Sequence, residues 1–316
     1  MNPLDHPAHA AAVVGLALAL DLAAGEYPAR AHPVVWMGAV ISWLEGRSPA
    51  RGRWWQLGYG ALVAGLVPAL FAGAAALVVR VSAPVPPLQV VLEALALKAT
   101  FAVRELGRAA AVVGAALGDG RLDDARAGLR ALCSRDARSL DAPRVAAAAV
   151  ESVAENASDS AVAPLLYYLV LGLPGAVAYR AVNTLDARIG YHGEYENLGK
   201  AAARLDDLAN LLPARVTGLL LLVAGALTGG DARRGFRVLV RDGARTESPN
   251  AGVPMAAMAG LLGVELEKVG HYRLGDPIEP LGPATIRAAW RIVATAILIG
   301  AVLALAVLGG IHAWRA

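Results

Sequence analysis

The chain has a single cysteine, Cys133, among 316 residues, which excludes an intrachain disulfide and any cysteine-based zinc site. Charged residues make up only 17%, against about 25% in soluble domains. Aromatics are scarce at 5%, too few for a large aromatic core. Several catalytic signatures are also missing. There is no Gly-x-x-x-x-Gly-Lys-Ser/Thr loop, no Gly-x-Gly-x-x-Gly after a strand, no His-Glu-x-x-His and no Gly-x-Ser-x-Gly elbow. The common soluble nucleotide-binding and hydrolase designs therefore have no support. No repeat, low-complexity tail or linker divides the chain.

What is present is aliphatic. Hydrophobic residues reach 57% and mean hydropathy is +0.50, carried by Ala, Leu, Val and Gly, the residues that let membrane helices approach closely. The apolar segments run along the whole length, so the expectation is an all-α, polytopic integral membrane protein forming one integrated domain over residues 1–316. A net charge of +3 and a pI near 9.2 suit anionic lipid or an anionic substrate, and do not indicate nucleic acid.

A bilayer core of about 30 Å needs about 20 apolar residues per helix. Residues 58–79 are uncharged, 211–228 carry only Arg215, and 290–311 carry only Arg291; these three stretches qualify. Residues 10–24 are short and hold Asp21. With no Lys or Arg before them they are read as a retained helix rather than a signal peptide. Residues 161–179 contain Pro164, Pro174 and two glycines, the composition of a broken or re-entrant segment. Over residues 82–160, Lys98, Arg104, Glu105 and Arg108 recur at helical offsets among Ala, Leu and Val. That pattern predicts an amphipathic helical region, cytoplasmic or interfacial. Lys and Arg number 9 in residues 81–160 and 7 in 229–283, against 4 in 25–57 and 4 in 180–210, which assigns the first two regions to the cytoplasm. If all five apolar stretches crossed, the polar motifs would lie on opposite membrane faces. A re-entrant 161–179 removes that conflict.

Four polar groups carry the chemistry. In Glu151-Ser-Val-Ala-Glu155-Asn156-Ala-Ser-Asp159 the three acids recur every four residues, so on a helix they share one narrow face. Like charges at that spacing repel, and Mg²⁺ or arginines would compensate them; a solvated acidic face is the bland alternative. In Arg180-Ala-Val-Asn183-Thr184-Leu-Asp186, followed by Gly190-Tyr191, the Arg, Asn and Thr share a face whose donors suit a phosphate or carboxylate. A helix cap would look the same. Arg204-Leu-Asp206-Asp207-Leu-Ala-Asn210 leads through Pro213 and Arg215 straight into an apolar stretch. Ionisable groups there are costly and normally face a polar interior, either as a site or as a structural Asp/Arg network. Ser248-Pro249-Asn250-Ala251-Gly252 is a turn whose backbone N–H groups could cradle an anion. His32-Pro33-Val34 is weaker, since a lone His at a membrane edge is commonly structural.

Taken in order, these motifs resemble the CobD/CbiB family of cobalamin biosynthesis, the adenosylcobinamide-phosphate synthases. The resemblance runs from Asp21 and His32-Pro33-Val34 to residues 248–252. Two departures stand out: Ser134-Arg135-Asp136-Ala137 replaces a usual Gly-Arg-Asp-Thr, and His192 stands where Lys is common. The resemblance implies an ATP- and Mg²⁺-dependent amide ligase. It would join a propionate of adenosylcobyric acid to aminopropanol or its O-phosphate. It also implies a multi-pass protein of the cell (inner) membrane with its site facing the cytoplasm, working as a homo-oligomer or with other cobalamin-assembly enzymes. On that reading Glu151, Glu155 and Asp159 handle metal or amine, Asp206 and Asp207 metal or proton transfer, and Arg180, Arg204 and Arg215 anions. Arg135, Asn156, Asn183, Thr184, Asp186, Asn210, Ser248 and Asn250 complete the substrate contacts. The alternatives are a sensory protein resembling the AmpE family or, with less support, a transporter, which paired half-repeats would favour.

Overall fold

The computed structural model describes residues 3–49, 52–133, 136–191, 193 and 195–315, and these fall into two compact units that each draw on separated stretches of chain. The sequence reading expected one integrated domain. Thirteen α-helices and one small hairpin account for nearly all regular structure among the described residues.

The first unit comprises Met1–Ala102, Ala163–Ala209 and Leu303–Ala316. It holds α1 (Pro7–Ala24), α2 (Pro33–Glu45), α3 (Arg53–Ser82) and α4 (Pro86–Lys98). Helices α1, α2 and α4 begin with Pro in the first turn, where the missing N–H is no loss. The second unit comprises Val103–Val162 and Asn210–Val302. It opens with α5 (Val103–Gly118), α6 (Leu122–Leu129) and α7 (Ala142–Ala157). As the sequence predicts, a turn precedes α6, and Asp141 caps α7 by accepting from the Arg144 N–H at 3.0 Å.

A π-helical turn, Ser158–Val162, then leads into α8 (Ala163–Ile189) and α9 (Lys200–Ala209) of the first unit. Helix α8 is interrupted at Gly172, φ 70° and ψ −166°, a conformation essentially reserved for glycine. With the π turn, this is the broken helix that Pro164, Pro174 and the glycines of 161–179 predict. The second unit resumes with α10 (Leu211–Thr228), α11 (Ala232–Asp242), α12 (Gly252–Leu262) and the antiparallel pair β1 (Glu265–Lys268) and β2 (Tyr272–Gly275). The last helix, α13 (Pro283–Arg315), belongs to the second unit as far as Val302.

Among the described residues six helical stretches are long and apolar enough to cross a membrane: Pro7–Ala24, Arg53–Ser82, Pro86–Gly118, Ala142–Ile189, Leu211–Thr228 and Pro283–Trp314. The chain is thus of the polytopic helical membrane class. Pro86–Gly118 differs from the sequence expectation, which placed it outside the bilayer. It is not one rod, because a turn follows Lys98, closed by Thr100 Oγ1 on the Leu97 carbonyl at 2.6 Å, and α4 and α5 fall in different units. Lys98 also differs. Read as part of a charged surface, it is 1% exposed. Its Nζ lies 3.5 Å from Glu26 and 4.1 Å above the Tyr27 ring, so a charge partner and a π face replace its water.

Helix α12 is the opposite of an amphipathic element. Ten of its residues, Gly252 to Leu261, are buried, and it packs on α7, α10, α11 and β2. A helix apolar all round must be a core helix, and at 11 residues, about 16 Å, it is too short to cross. Its N-terminal end carries the turn at 248–251.

Candidate polar site

The second unit gathers most of the motifs. Helix α7 packs on α12, and the π turn packs on α10, so the acidic stretch 151–159, the first turns of α10 and the 248–250 turn all belong to one packed set of elements. Arg215 joins two of them. Its Nη1 donates to Asn250 Oδ1 and its Nη2 to the Pro249 carbonyl at 3.2 Å. The turn is closed from within: Asn250 N–H donates to Ser248 Oγ at 3.3 Å, Thr246 Oγ1 to the Ser248 carbonyl at 2.6 Å, and Gly252 N–H to Thr246 Oγ1 at 3.0 Å. The sequence reading offered Asp206 or Asp207 as the structural partner of Arg215. The structure gives it Asn250 and Pro249 instead. Asn250 is buried while Arg215 is exposed, and of the five N–H donors of a guanidinium three remain beyond those two bonds.

Glu151 is buried, and Glu155, Asn156 and Asp159 are partly so. Asn156 Nδ2 donates to the Ser152 carbonyl at 2.9 Å, and its Oδ1 accepts from Ser160 at 3.3 Å; these bonds orient the amide across the α-to-π junction. Among the described residues no three His, Cys, Asp or Glu side chains are gathered closely enough to hold a metal ion. The predicted three-carboxylate centre of Glu151, Glu155 and Asp159 is therefore not assembled as such. The physical reason is the spacing itself: eight residues of helix separate the outer two by about 12 Å. Mg²⁺, however, usually takes one or two carboxylates together with substrate phosphates and water, and neighbouring members of this row fit that smaller role.

In the first unit, α8 packs on α9 and brings the other two motifs together. Arg180 Nη1 donates to Asn183 Oδ1 at 3.4 Å, and Arg204 lies 3.8 Å from Asp207. Asp186 and Asp207 are close enough for their charges to interact, and the Asp206 charge acts on the neutral Tyr167. Thr184 departs from expectation. Its hydroxyl donates to the Arg180 carbonyl at 2.7 Å, the back-bond common for helical Thr, so it offers a ligand only its lone pairs. Gly190 is required where it stands, because a Cβ there would overlap the Asp186 carboxylate. His32 is structural, as its bland reading held: Nδ1 accepts from the Val34 N–H at 3.2 Å to cap α2, and Nε2 faces Glu26 at 2.8 Å.

Arg135 and His192 lie outside the described residues. Next to Arg135, Asp136 is held at about 2 by the Arg138 guanidinium, bonded at 2.7 to 3.1 Å. Asp123, Arg126, Arg130, Cys133, Asp136 and Arg138 line a cavity of about 430 Å³, which sequence reasoning missed. The signal was there in the run of arginines at 121, 126, 130 and 138. Also missed were the stacked rings of Tyr167 and Tyr179, 5.0 Å apart, and Glu93, buried within α4 and bonded by Gln89 at 2.8 Å beside His9 at 3.2 Å.

Broken apolar helices and short buried helices define a polytopic membrane protein. The chain belongs to the CobD/CbiB protein family, whose model matches residues 14–305. It is 44% identical to the cobalamin biosynthesis protein CobD of Dehalococcoides mccartyi (strain CBDB1), covering 86% of this chain and 88% of that one. It is 42% identical to a probable CobD of Methanothermobacter thermautotrophicus over 85% and 88% of the two chains. With CobD of Geobacter metallireducens the identity is 43% over 89% and 90%. No solved structure matches the chain. Membership places the protein in cobalamin biosynthesis, and the sensory and transport alternatives lose their support.

Proposed function

We propose that the chain forms the amide bond between a propionate carboxylate of adenosylcobyric acid and the amine of aminopropanol, taken as its O-phosphate, at the expense of ATP. The observation that carries this reading is the Arg215 fork, an exposed guanidinium held by the buried Asn250 and the Pro249 carbonyl, with donors left for an anion. A carboxylate is a poor electrophile. Transfer of a phosphoryl group from ATP to one of its oxygens gives a leaving group that the amine displaces, releasing phosphate once the ammonium has lost its proton. Within the second unit, Arg215 would hold an anionic end of the substrates and Glu151 would take the proton. Glu155 with Asp159 would hold Mg²⁺, which supplies charge neutralisation at the phosphates.

The cavity at Arg126, Arg130 and Arg138 is the candidate for the nucleotide phosphates, because its three guanidiniums outnumber its two carboxylates. The inner membrane, with the site toward the cytoplasm where ATP is made, agrees with the arginine-rich stretches 81–160 and 229–283. The test is reconstitution in proteoliposomes with adenosylcobyric acid, ATP, Mg²⁺ and either amine. The expected product has the mass of the acid plus the amine less one water. Intact substrate under all conditions refutes the reading.

A further inference from the structure

Helix α11 follows α10 after three residues and folds back along it. A Cβ on Gly235 would come within 2.8 Å of the Leu222 side chain, and one on Gly218 within 3.2 Å of Leu239. Residue 235 is therefore level with 222, and 239 with 218, so the two helices run antiparallel at contact distance. One turn beyond Leu239 lies a charged cluster. Asp242 pairs with Arg241 at 2.7 Å and Arg245 at 3.0 Å, and Arg241 with Asp276 at 3.0 Å.

If α10 crossed the bilayer, its 18 residues, about 27 Å, would fill the hydrocarbon core, and Gly218 would sit near the midplane. By the same register the exposed Arg237 would lie level with residue 220, at the midplane, and the exposed Arg233 level with 224. The charged cluster would lie between the midplane and the Leu211 end, with Arg241 and Asp276 still 44% exposed; these charges would open onto hydrocarbon. Helix α10 also meets α13. Leu220 approaches Gly300, nine residues after the exposed Arg291 and just past Leu298, where the exposed apolar run of α13 starts.

The outer faces fit an interface. On α10 the exposed arc carries Leu212, Leu219, Val223 and Leu227, with Arg215 among them one turn from the Leu211 end. On α11, Arg233, Phe236, Arg237 and Val240 share one exposed arc, opposite the buried Gly235, Val238 and Asp242. Arg233 and Arg237 make no ion pair or side-chain hydrogen bond among the described residues. An apolar stripe flanked by arginines is the composition of a helix lying at lipid headgroups.

We propose that α10 and α11 form a hairpin lying in the headgroup layer of one leaflet, α10 dipping its leucines into the acyl boundary and α11 presenting Arg233 and Arg237 to anionic lipid phosphates. Helix α10 does not cross, and the chain on either side of it, Asn210 and the 248–250 turn, stays on one side of the membrane.

Two measurements on the full chain in nanodiscs of mixed phosphatidylglycerol and phosphatidylcholine test this. In a Cys133→Ser background, nitroxides attached at Leu219→Cys, Leu227→Cys and Val240→Cys should all report shallow depth in the same leaflet. A Leu219 label at the bilayer centre with the Leu227 label at the opposite surface overturns the proposal. Native mass spectrometry should show preferential retention of phosphatidylglycerol, reduced about tenfold in Arg233→Gln/Arg237→Gln and kept in Arg233→Lys/Arg237→Lys. An unchanged preference in the glutamine pair, as expected if α11 faced a water-filled vestibule, also overturns it. The lysine pair reports any loss due to misfolding, since it alters the same positions and keeps the charge.

Discussion

Two charged groups of the second unit, Asp242 and Arg215, are each fixed by neighbours, yet they are built for different tasks. Asp242 has no exposed side-chain surface. It accepts from Arg241 Nε at 2.8 Å, from Arg241 Nη2 at 2.7 Å and from the Gly275 N–H at 2.9 Å, with Arg245 on its other oxygen. Three hydrogen bonds and a second ion pair surround it, and the Gly275 bond ties α11 to β2. Arg215 is held only in part, by Asn250 and Pro249, and turns its remaining donors outward. A saturated charge is a fastening; a charge oriented by two bonds and left with three donors can still take a ligand. In a chain where charges are scarce, that difference tells more about a group's task than residue type does.

The largest effect should follow from removing a carboxylate at the acidic row. Glu155→Gln should insert and fold normally while losing about 100-fold or more in turnover, the scale of a general acid–base or metal-holding group. Near wild-type turnover at low Mg²⁺ would move the site elsewhere. Next in size is the fastening. Asp242→Asn keeps the shape but removes the charge from a buried carboxylate whose arginine partners stay solvated, and should cost roughly 1.5 to 3 kcal/mol, seen as a lower melting temperature in detergent with turnover per folded molecule retained.

The same carboxylate sets a pH dependence. Burial pushes its affinity for protons up, but the Arg241 bonds, the Gly275 N–H and the charges of Arg241 and Arg245 outweigh burial and hold it below the ordinary value. A folded value below the unfolded one, about 3.9, adds stability above that pH and loses it as pH falls through the folded value. Wild type and Asp242→Asn should therefore differ most at neutral pH and converge in acid. A gap that persists unchanged below pH 3 would contradict this account.

Smaller again is Arg215→Lys, which keeps the charge and loses the planar fork. It should raise the KM for the phosphorylated amine about tenfold, or about 1.4 kcal/mol, and much less for unphosphorylated aminopropanol. Equal losses for both amines with a lowered melting temperature would make Arg215 another fastening. Arg233→Lys, which lies on the exposed arc of α11, should change neither constant.

Much of this was legible from the residues. The membrane class follows from composition, the broken helix from Pro164, Pro174 and the glycines, and the starts of α6 and α7 from their turn and cap residues. The row of acids and the ordered polar motifs supplied the candidates for the site. Partnership across the fold was not legible, because it depends on packing rather than spacing. Nothing local joins Arg215 to Asn250, 35 residues away, or buries Lys98 on Tyr27 and Glu26. A helical offset also says that Glu151, Glu155 and Asp159 share a face, but not that the row is too long to converge on one ion. Thr184 misled for a related reason, since its own helix backbone competes for the hydroxyl.

The central claim is that the propionate is activated by phosphorylation before the amine attacks, and oxygen tracing tests it most directly. Adenosylcobyric acid labelled with ¹⁸O in that carboxylate, turned over with ATP and aminopropanol O-phosphate by the reconstituted chain, should deliver one labelled oxygen into the released inorganic phosphate. Label recovered in AMP, or amide formed with no label in phosphate, would contradict the account.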